Sequence, residues 1–286
     1  MSDSYLPKSV FIPFSGSKSK HYTKIKDIII NLINKNELSE FKIIYDIFGG
    51  SGALSLMFHE FYPNAKIIYN DYDEIIETKK NENVIDKSID RFNIYRREIT
   101  NDFEKANIKQ DEKLPSKLVE YYKNKYKKWI DNDWYFMYLF NSSISFNGRS
   151  ADVKINDSWN KVRKTDIEPK HHLYESFKIT HLNYVEIFNK LVKIKPDKPT
   201  LLLLDPPYLN TDWTFYKTDW FNFWEYIKML KYFMDCLKLG YYLILFESTA
   251  SQIDLVIEIL NPELYNKLKI KKYELSPKEI MMIIEP

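Results

Sequence analysis

Four residues near the middle of the chain, Asp205-Pro206-Pro207-Tyr208, set a carboxylate beside two residues that lack a backbone N–H and an aromatic ring. They follow TLLLL, which reads as a strand buried on both faces. A chain that needed only to turn back could use Asn-Gly or Asp-Gly. Two prolines give instead a stiff loop with few donors. The Asp205 carboxylate and the Pro206 carbonyl then form a pair of acceptors suited to a group with two N–H donors, such as the exocyclic amine of a nucleobase. That amine is a poor nucleophile because its lone pair is conjugated into the ring. Acceptors on both N–H groups draw the nitrogen toward a tetrahedral form whose lone pair can attack a methyl group. The Tyr208 ring offers a face for stacking, worth about 1–3 kcal/mol per base. Orientation of the reactants can supply roughly 7–11 kcal/mol of the barrier. Asp205 accepts while ionised, so it is expected to need no unusual pKa. The plainer alternative is a strand-ending turn with a buried tyrosine.

A second constellation is Asp46-Ile47-Phe48-Gly49-Gly50-Ser51-Gly52, between a strand-like run and the helix-like ALSLMFHEF. The chain has only 6 glycines in 286 residues, so three within four positions need a backbone reason: positive φ, or another molecule lying against the main chain. The phosphate-binding Gly-Lys-Ser/Thr pattern is missing, as is the third glycine of the dinucleotide fingerprint. The next strand-like run ends in Asn70-Asp71-Tyr72-Asp73. There Asp71 could accept both hydroxyls of a ribose, or merely cap the helix that follows. A nucleoside without a pyrophosphate fits both features, and S-adenosylmethionine is the obvious candidate. FIPFSGSKSKHY (11–22), taken alone, reads as a surface loop.

Strands are predicted at 42–47, 65–70, 177–183, 200–205, 241–247, 267–275 and 279–285, and helices at 22–36, 53–61, 73–83, 184–193 and 221–238. Strand alternating with helix predicts a parallel, doubly wound sheet. Ser276-Pro277-Lys278 predicts an antiparallel hairpin at one edge. The alternation stops between about 84 and 175, where YYKNKYKKWIDNDWYFMYLF (121–140) reads as one long helix and Asn147-Gly148 as a hairpin turn. The predicted organisation is a catalytic domain in two parts, 1–83 and 176–286, around an inserted module, 84–175.

Net charge is +2, so no partner follows from global charge. The eight lysines from Lys105 to Lys128 could meet phosphates, or simply form a solvated helix face. One cysteine, Cys236, excludes an internal disulfide and fits a reducing compartment. No apolar run approaches the roughly 18 residues of a membrane span. The start MSDSYLPKSV lacks the apolar segment of a secretory signal. A cytoplasmic protein is expected, with no membrane association and no metal.

PFSGSK, DIFGGSG, NDYD and DPPY, in that order, resemble the motifs of Dam-like (D12 class) adenine-specific DNA methyltransferases, and the likeness covers almost the whole chain. FMYLFNSSISFNGRS resembles the segment that carries a hairpin into DNA in that family, and PKEIMMIIEP its last strand. The resemblance implies a Rossmann-like methyltransferase sheet, mostly parallel with one antiparallel edge hairpin, carrying an inserted helical and hairpin target-recognition domain. It further implies site-specific methylation of adenine N6 in double-stranded DNA by base flipping, from S-adenosylmethionine, and allows a cognate restriction endonuclease as companion. Carried over, Phe14, Ser15, Gly16, Ser17 and Lys18 would contact the methionine part of the cofactor. Asp46, Phe48, Gly50 and Gly52 would line it, Asp71 would hold its ribose, and Asn183 would stand in for an acid near its adenine. Asp205, Pro206, Pro207 and Tyr208 would hold the target base, with Asp205 next to the cofactor. Phe146, Asn147 and Arg149 would meet DNA. Competing expectations are N4-cytosine methylation, RNA N6-adenine methylation, and a non-catalytic DNA-binding relative.

Overall fold

The computed structural model describes residues 18–50, 52–70, 72, 84–106, 116–133, 136–137, 139–140, 174–208, 222–249 and 253–286. The described residues divide into two compact units: those within Gly16–Ile76 and Tyr174–Pro286 form one, those within Glu77–Leu173 the other. No helix among them is long and apolar enough to cross a membrane.

The first unit is built on a seven-stranded sheet with strands β1 Ile43–Asp46, β2 Lys66–Asn70, β3 Lys178–Thr180, β4 Thr200–Leu204, β5 Tyr242–Ser248, β6 Lys269–Ser276 and β7 Glu279–Glu285. Their spatial order is β3-β2-β1-β4-β5-β7-β6. The first five are parallel and β7 runs antiparallel to both neighbours, so the fold is α/β and Rossmann-like, with the expected edge hairpin. The physical basis is plain in β4, whose residues Leu201 to Leu204 are all fully buried. A strand covered on both faces can be continuously apolar, and each leucine removed from water is worth about 2 kcal/mol. The edges differ: β3 is short, and β6 carries Lys269, Lys271 and Lys272, which discourages pairing with another chain.

Helices α1 Tyr22–Asn34 and α2 Ala53–Phe61 lie in the first part of this unit. The first buries Ile25, Ile29 and Leu32, a stripe at the spacing of one helix face. Three more, α6 Tyr184–Leu191, α7 Phe223–Lys238 and α8 Ile253–Leu260, precede the short α9 Pro262–Tyr265. Asn222 starts α7 by accepting from the backbone N–H groups of Trp224 (2.9 Å) and Glu225 (3.2 Å), two donors that the helix itself cannot satisfy. The predicted strand positions are met to within a few residues. The IDLVIEIL helix (α8) was not anticipated.

The second unit contains α3 Val84–Ala106, α4 Ser116–Lys125 and α5 Lys127–Asn132. Tyr95 centres its core, with ring centroids 5.8 Å from Tyr122, 5.4 Å from Tyr126 and 4.7 Å from Phe140. The single helix expected over 121–140 is corrected to separate helices, because Tyr126 interrupts it and Asp133 is extended. Asp133 instead accepts from the backbone N–H of Phe136 (2.9 Å), from Ser88 Oγ (2.7 Å) and from Arg91 (2.6 Å). A cap at that point competes with continued helix. The helix expected over 73–83 and the Asn147-Gly148 turn lie outside the described residues.

Candidate active site at the switch point of the sheet

Two loops leave neighbouring parallel strands at the centre of the sheet. From β1 the chain crosses to β2 on one side, and from β4 to β5 on the other. Asp46 sits opposite Leu203, so the glycine turn after β1 and the Asp205 loop after β4 emerge side by side at the carboxyl ends of the strands. In open α/β sheets this reversal of strand order opens the crevice in which ligands bind.

The glycine turn is built by backbone need and by tyrosines. Gly50 and Gly52 have φ of 49° and 72°, which ordinary side chains resist. A Cβ on Gly49 would stand 2.2 Å from the Tyr69 ring, and one on Gly52 would stand 2.4 Å from Tyr174. The Tyr69 hydroxyl donates to the Gly50 carbonyl at 2.6 Å and pins the turn. Asn70 ties three strand ends together: its Nδ2 donates to the carbonyls of Ile47 (3.1 Å) and Leu182 (2.9 Å), and its Oδ1 accepts from Thr180 Oγ1 (2.9 Å) and the Leu182 N–H (2.9 Å).

Asp46 is 1% exposed. Its Oδ2 accepts from the Ser55 N–H (3.1 Å) and hydroxyl (2.7 Å), while Oδ1 has no hydrogen-bond partner among the described residues. Burial pushes its carboxyl up to about 7 against the lowering effect of Ser55, and the Asp205 charge adds to the rise. An orphaned carboxylate oxygen below a helix N-terminus is suited to a cationic donor, such as the ammonium of a methionine group. Phe48, half-buried with its ring 5.8 Å from Tyr184, lies on the same turn. These residues fit an S-adenosylmethionine-type ligand.

Around Asp205 the structure assembles charges that the sequence did not reveal. Lys18, in a 3-10 turn at Lys18–His21, is 2% exposed and lies 2.7 Å from Asp205 Oδ1 and 2.8 Å from Oδ2. Its ammonium also stands 5.1 Å from the Tyr208 ring centroid and 5.7 Å from that of Phe246, within cation–π reach of both. The surface-loop reading of this segment is therefore corrected at Lys18, which is buried because Asp205 and the two rings replace its water. The Asp205 side chain is 18% exposed. Burial raises its carboxyl above the usual range while Lys18 pulls it down, so the expectation of an unperturbed group is corrected as well.

Glu279, the first residue of β7, accepts from the Tyr208 hydroxyl at 3.1 Å and meets Lys20 at 2.7 Å and His21 at 2.5 Å. Burial pushes its carboxyl up, but the bonds from Lys20 and His21 and the charge of Lys18 outweigh this and hold it at about 2. Glu247, at the end of β5, is fully buried; Tyr226 donates to it, and the Ser248 N–H does so at 2.7 Å. Burial pushes its carboxyl up to about 7.

Of the residues expected at the site, Asp46, Phe48, Gly50, Gly52, Lys18 and Asp205 to Tyr208 come together at the carboxyl ends of β1 and β4. Asn183 Oδ1 accepts from the Val185 N–H at 2.9 Å and caps α6, which leaves the second lone pair of that oxygen and the side-chain amide for a ligand. Phe14, Ser15, Gly16, Ser17, Asp71, Phe146, Asn147 and Arg149 lie outside the described residues. Glu279, Glu247, Tyr69 and Asn70 were not anticipated. For Glu247 a signal existed, an acid at the carboxyl end of a buried strand, the same signal that singled out Asp205.

Residues 15–94 match the model of an O-methyltransferase domain. The chain is 29% identical over 228 residues, 78% of its length and 72% of the other's, to a Haemophilus influenzae protein named "Putative methyltransferase". Both likenesses support methyl transfer as the chemistry, with S-adenosylmethionine as the donor that such a domain implies. The matched region runs from the 3-10 turn through the glycine turn and ends before Asp205, so it bears on the donor half of the site.

Proposed function

We propose that this protein transfers a methyl group from S-adenosylmethionine to the N6 amine of adenine in a specific double-stranded DNA sequence. The observation that carries the reading is the placement of Asp205-Pro206-Pro207-Tyr208 on the strand next to the glycine turn, at the switch point of the sheet. The donor supplies an electrophilic methyl on sulfur. Asp46, the glycine turn and Phe48 would hold it.

The chain's own residues do the rest. An ionised carboxylate offers about four acceptor positions, so Asp205 can keep Lys18 on both oxygens and still accept one N–H of the amine. The Pro206 carbonyl accepts the other. The amine nitrogen uses its lone pair to form the new N–C bond, the carbon–sulfur pair stays on sulfur, and the extra proton on nitrogen leaves to solvent. Turning the base out of the duplex costs a few kcal/mol, which stacking on Tyr208 offsets in part.

The O-methyltransferase description of the matched region favours one other reading, a hydroxyl acceptor. That chemistry needs a base, and Asp205, raised by burial, could take the proton. Purified protein with a tritium-labelled methyl donor separates the readings when offered duplex DNA, RNA, small hydroxyl compounds or no acceptor. Label on DNA that is released as N6-methyladenine is expected, and an Asp205→Ala variant should transfer none. Label on a hydroxyl compound alone, or near-normal transfer by Asp205→Ala, would overturn the proposal. Expression in a host without DNA methylation, followed by single-molecule sequencing, reads the target sequence.

A further inference from the structure

We propose that Glu279 is a positioning residue for methyl transfer, acting through Tyr208 and through the turn that carries Lys18. It joins three segments far apart in sequence: β7, the Lys18–His21 turn and the Asp205–Tyr208 loop. One oxygen takes the Tyr208 hydroxyl (3.1 Å) and lies 3.7 Å from the Lys18 ammonium; the other takes Lys20 (2.7 Å) and His21 (2.5 Å). The side chain is 9% exposed. A carboxylate this buried is tolerated when its charge and lone pairs are met, and here every partner belongs to a segment of the candidate site.

The geometry gives the pairing a consequence. A tyrosine ring on a loop has freedom about two side-chain torsions, and a base stacks on it only when both are set. The hydroxyl bond to Glu279 fixes the far end of the ring, while Pro206 and Pro207 fix the backbone below it. The same carboxylate holds the turn from which Lys18 reaches Asp205. Ring and acceptor are thus referenced to one rigid point on β7, whose ladders with β5 and β6 make it an immobile base. A site built on a strand is more exact than one built on loops alone.

This inference rests on the proposed use of Tyr208 as a stacking face, and a double-mutant cycle tests it. Glu279→Ala is expected to lower kcat/KM about 10-fold, the effect of one lost charge-assisted bond. Tyr208→Phe, which keeps the ring and removes the hydroxyl, should fall by a similar factor. Together they should cost less than the product of the two, because one bond is shared. Glu279→Asp should recover part of the loss. Where Glu279→Ala does not fold, Glu279→Gln of similar volume replaces it in the cycle. Full multiplicative loss, with no recovery by Asp, would overturn the proposal.

Hydrogen exchange keeps this test apart from the acceptor assignment. The Tyr208 amide and the amides of the Lys18–His21 turn should exchange faster in the Glu279 variant, with β1 unchanged, whatever acceptor the enzyme uses. Unchanged exchange at both segments would also overturn it. Absence of methyl transfer to DNA by the wild-type protein would defeat the acceptor reading alone, and the kinetic cycle would then use the acceptor that the labelled-methyl assay identifies.

Discussion

The Lys18 ammonium lies 2.7 Å from one oxygen of Asp205 and 2.8 Å from the other, across 187 positions of sequence. An acceptor for an amine must be ionised, and burial works against that. Lys18 opposes it. The other charged groups acting on Asp205 and its neighbours are Lys20 from the 3-10 turn, Glu279 from β7, Glu247 from β5 and Asp46 from β1. Three of these are acids that disfavour a further negative charge, which makes the buried lysine the decisive counter-ion.

Replacement of Lys18 by Met should therefore raise the Asp205 carboxyl further. The acid limb of activity should then move to higher pH than in wild type, because the group must lose its proton to accept. At neutral pH the loss should be about 10-fold or more, while Lys18→Arg, which keeps the charge, should lose less. Profiles of kcat/KM against pH for the three proteins decide this. An acid limb that stays in place in Lys18→Met would show that the lysine serves some other purpose.

The glycines offer a comparison within one molecule. Gly52 and Gly240 have φ of 72° and 95°, but a Cβ at Gly240 meets nothing within 4 Å, whereas at Gly52 it meets Tyr174 at 2.4 Å. Gly240→Ala should cost about 1–2 kcal/mol, the strain of a left-handed backbone alone. Gly52→Ala adds a clash with a buried ring and should cost roughly 1–3 kcal/mol more. Urea midpoints measured side by side test the difference. Equal shifts would mean that Tyr174 moves aside freely.

The strands of the sheet were legible in the sequence, most plainly β4 and β5, which are buried on both faces and announce themselves as apolar runs. The hairpin was legible because Pro277 and its neighbours allow little else. Helix α3 was legible too, in the spacing of Ile89, Phe92, Tyr95 and Ile99, though no helix was placed there within the expected helical and hairpin insertion. The Lys18–Asp205 pair was not, since no local pattern marks a lysine whose partner lies across the fold. Asn183 shows the opposite difficulty. The same side chain can cap a helix and meet a ligand, so its type alone does not say which; in the structure its oxygen accepts the Val185 N–H two residues away.

Asp133 governs the second unit. Its carboxylate serves Ser88, Arg91 and the start of the turn at Phe136. Asp133→Ala removes the acceptor that the Ser88 hydroxyl and the Phe136 N–H share, while Arg91, 39% exposed, can turn to water. A loss of about 2–3 kcal/mol is expected. Asp133→Asn keeps an oxygen for the cap and should lose about half of that. Urea unfolding followed by tryptophan fluorescence reports it through Trp129, whose ring lies 5.2 Å from Phe136. A variant as stable as wild type would remove Asp133 as the unit's anchor.

Asp46 makes stability depend on pH in an unusual direction. Its carboxyl is pushed up to about 7 in the folded protein, from 3.8 when unperturbed. Between those values the folded state holds a proton that the unfolded state has lost. Stability from this group is complete below about pH 4, declines as pH rises toward 7, and is flat above. Asp46→Asn has no such proton and keeps an oxygen for Ser55, so its stability relative to wild type should improve by about 2–4 kcal/mol from pH 4 to pH 8. Glu247, also near 7, imposes the same slope on both proteins and cancels in the comparison. Urea midpoints at half-unit pH steps test this. Parallel curves for the two proteins would mean that Asp46 is ionised in the folded state throughout, with its orphaned Oδ1 met by water or by a cation.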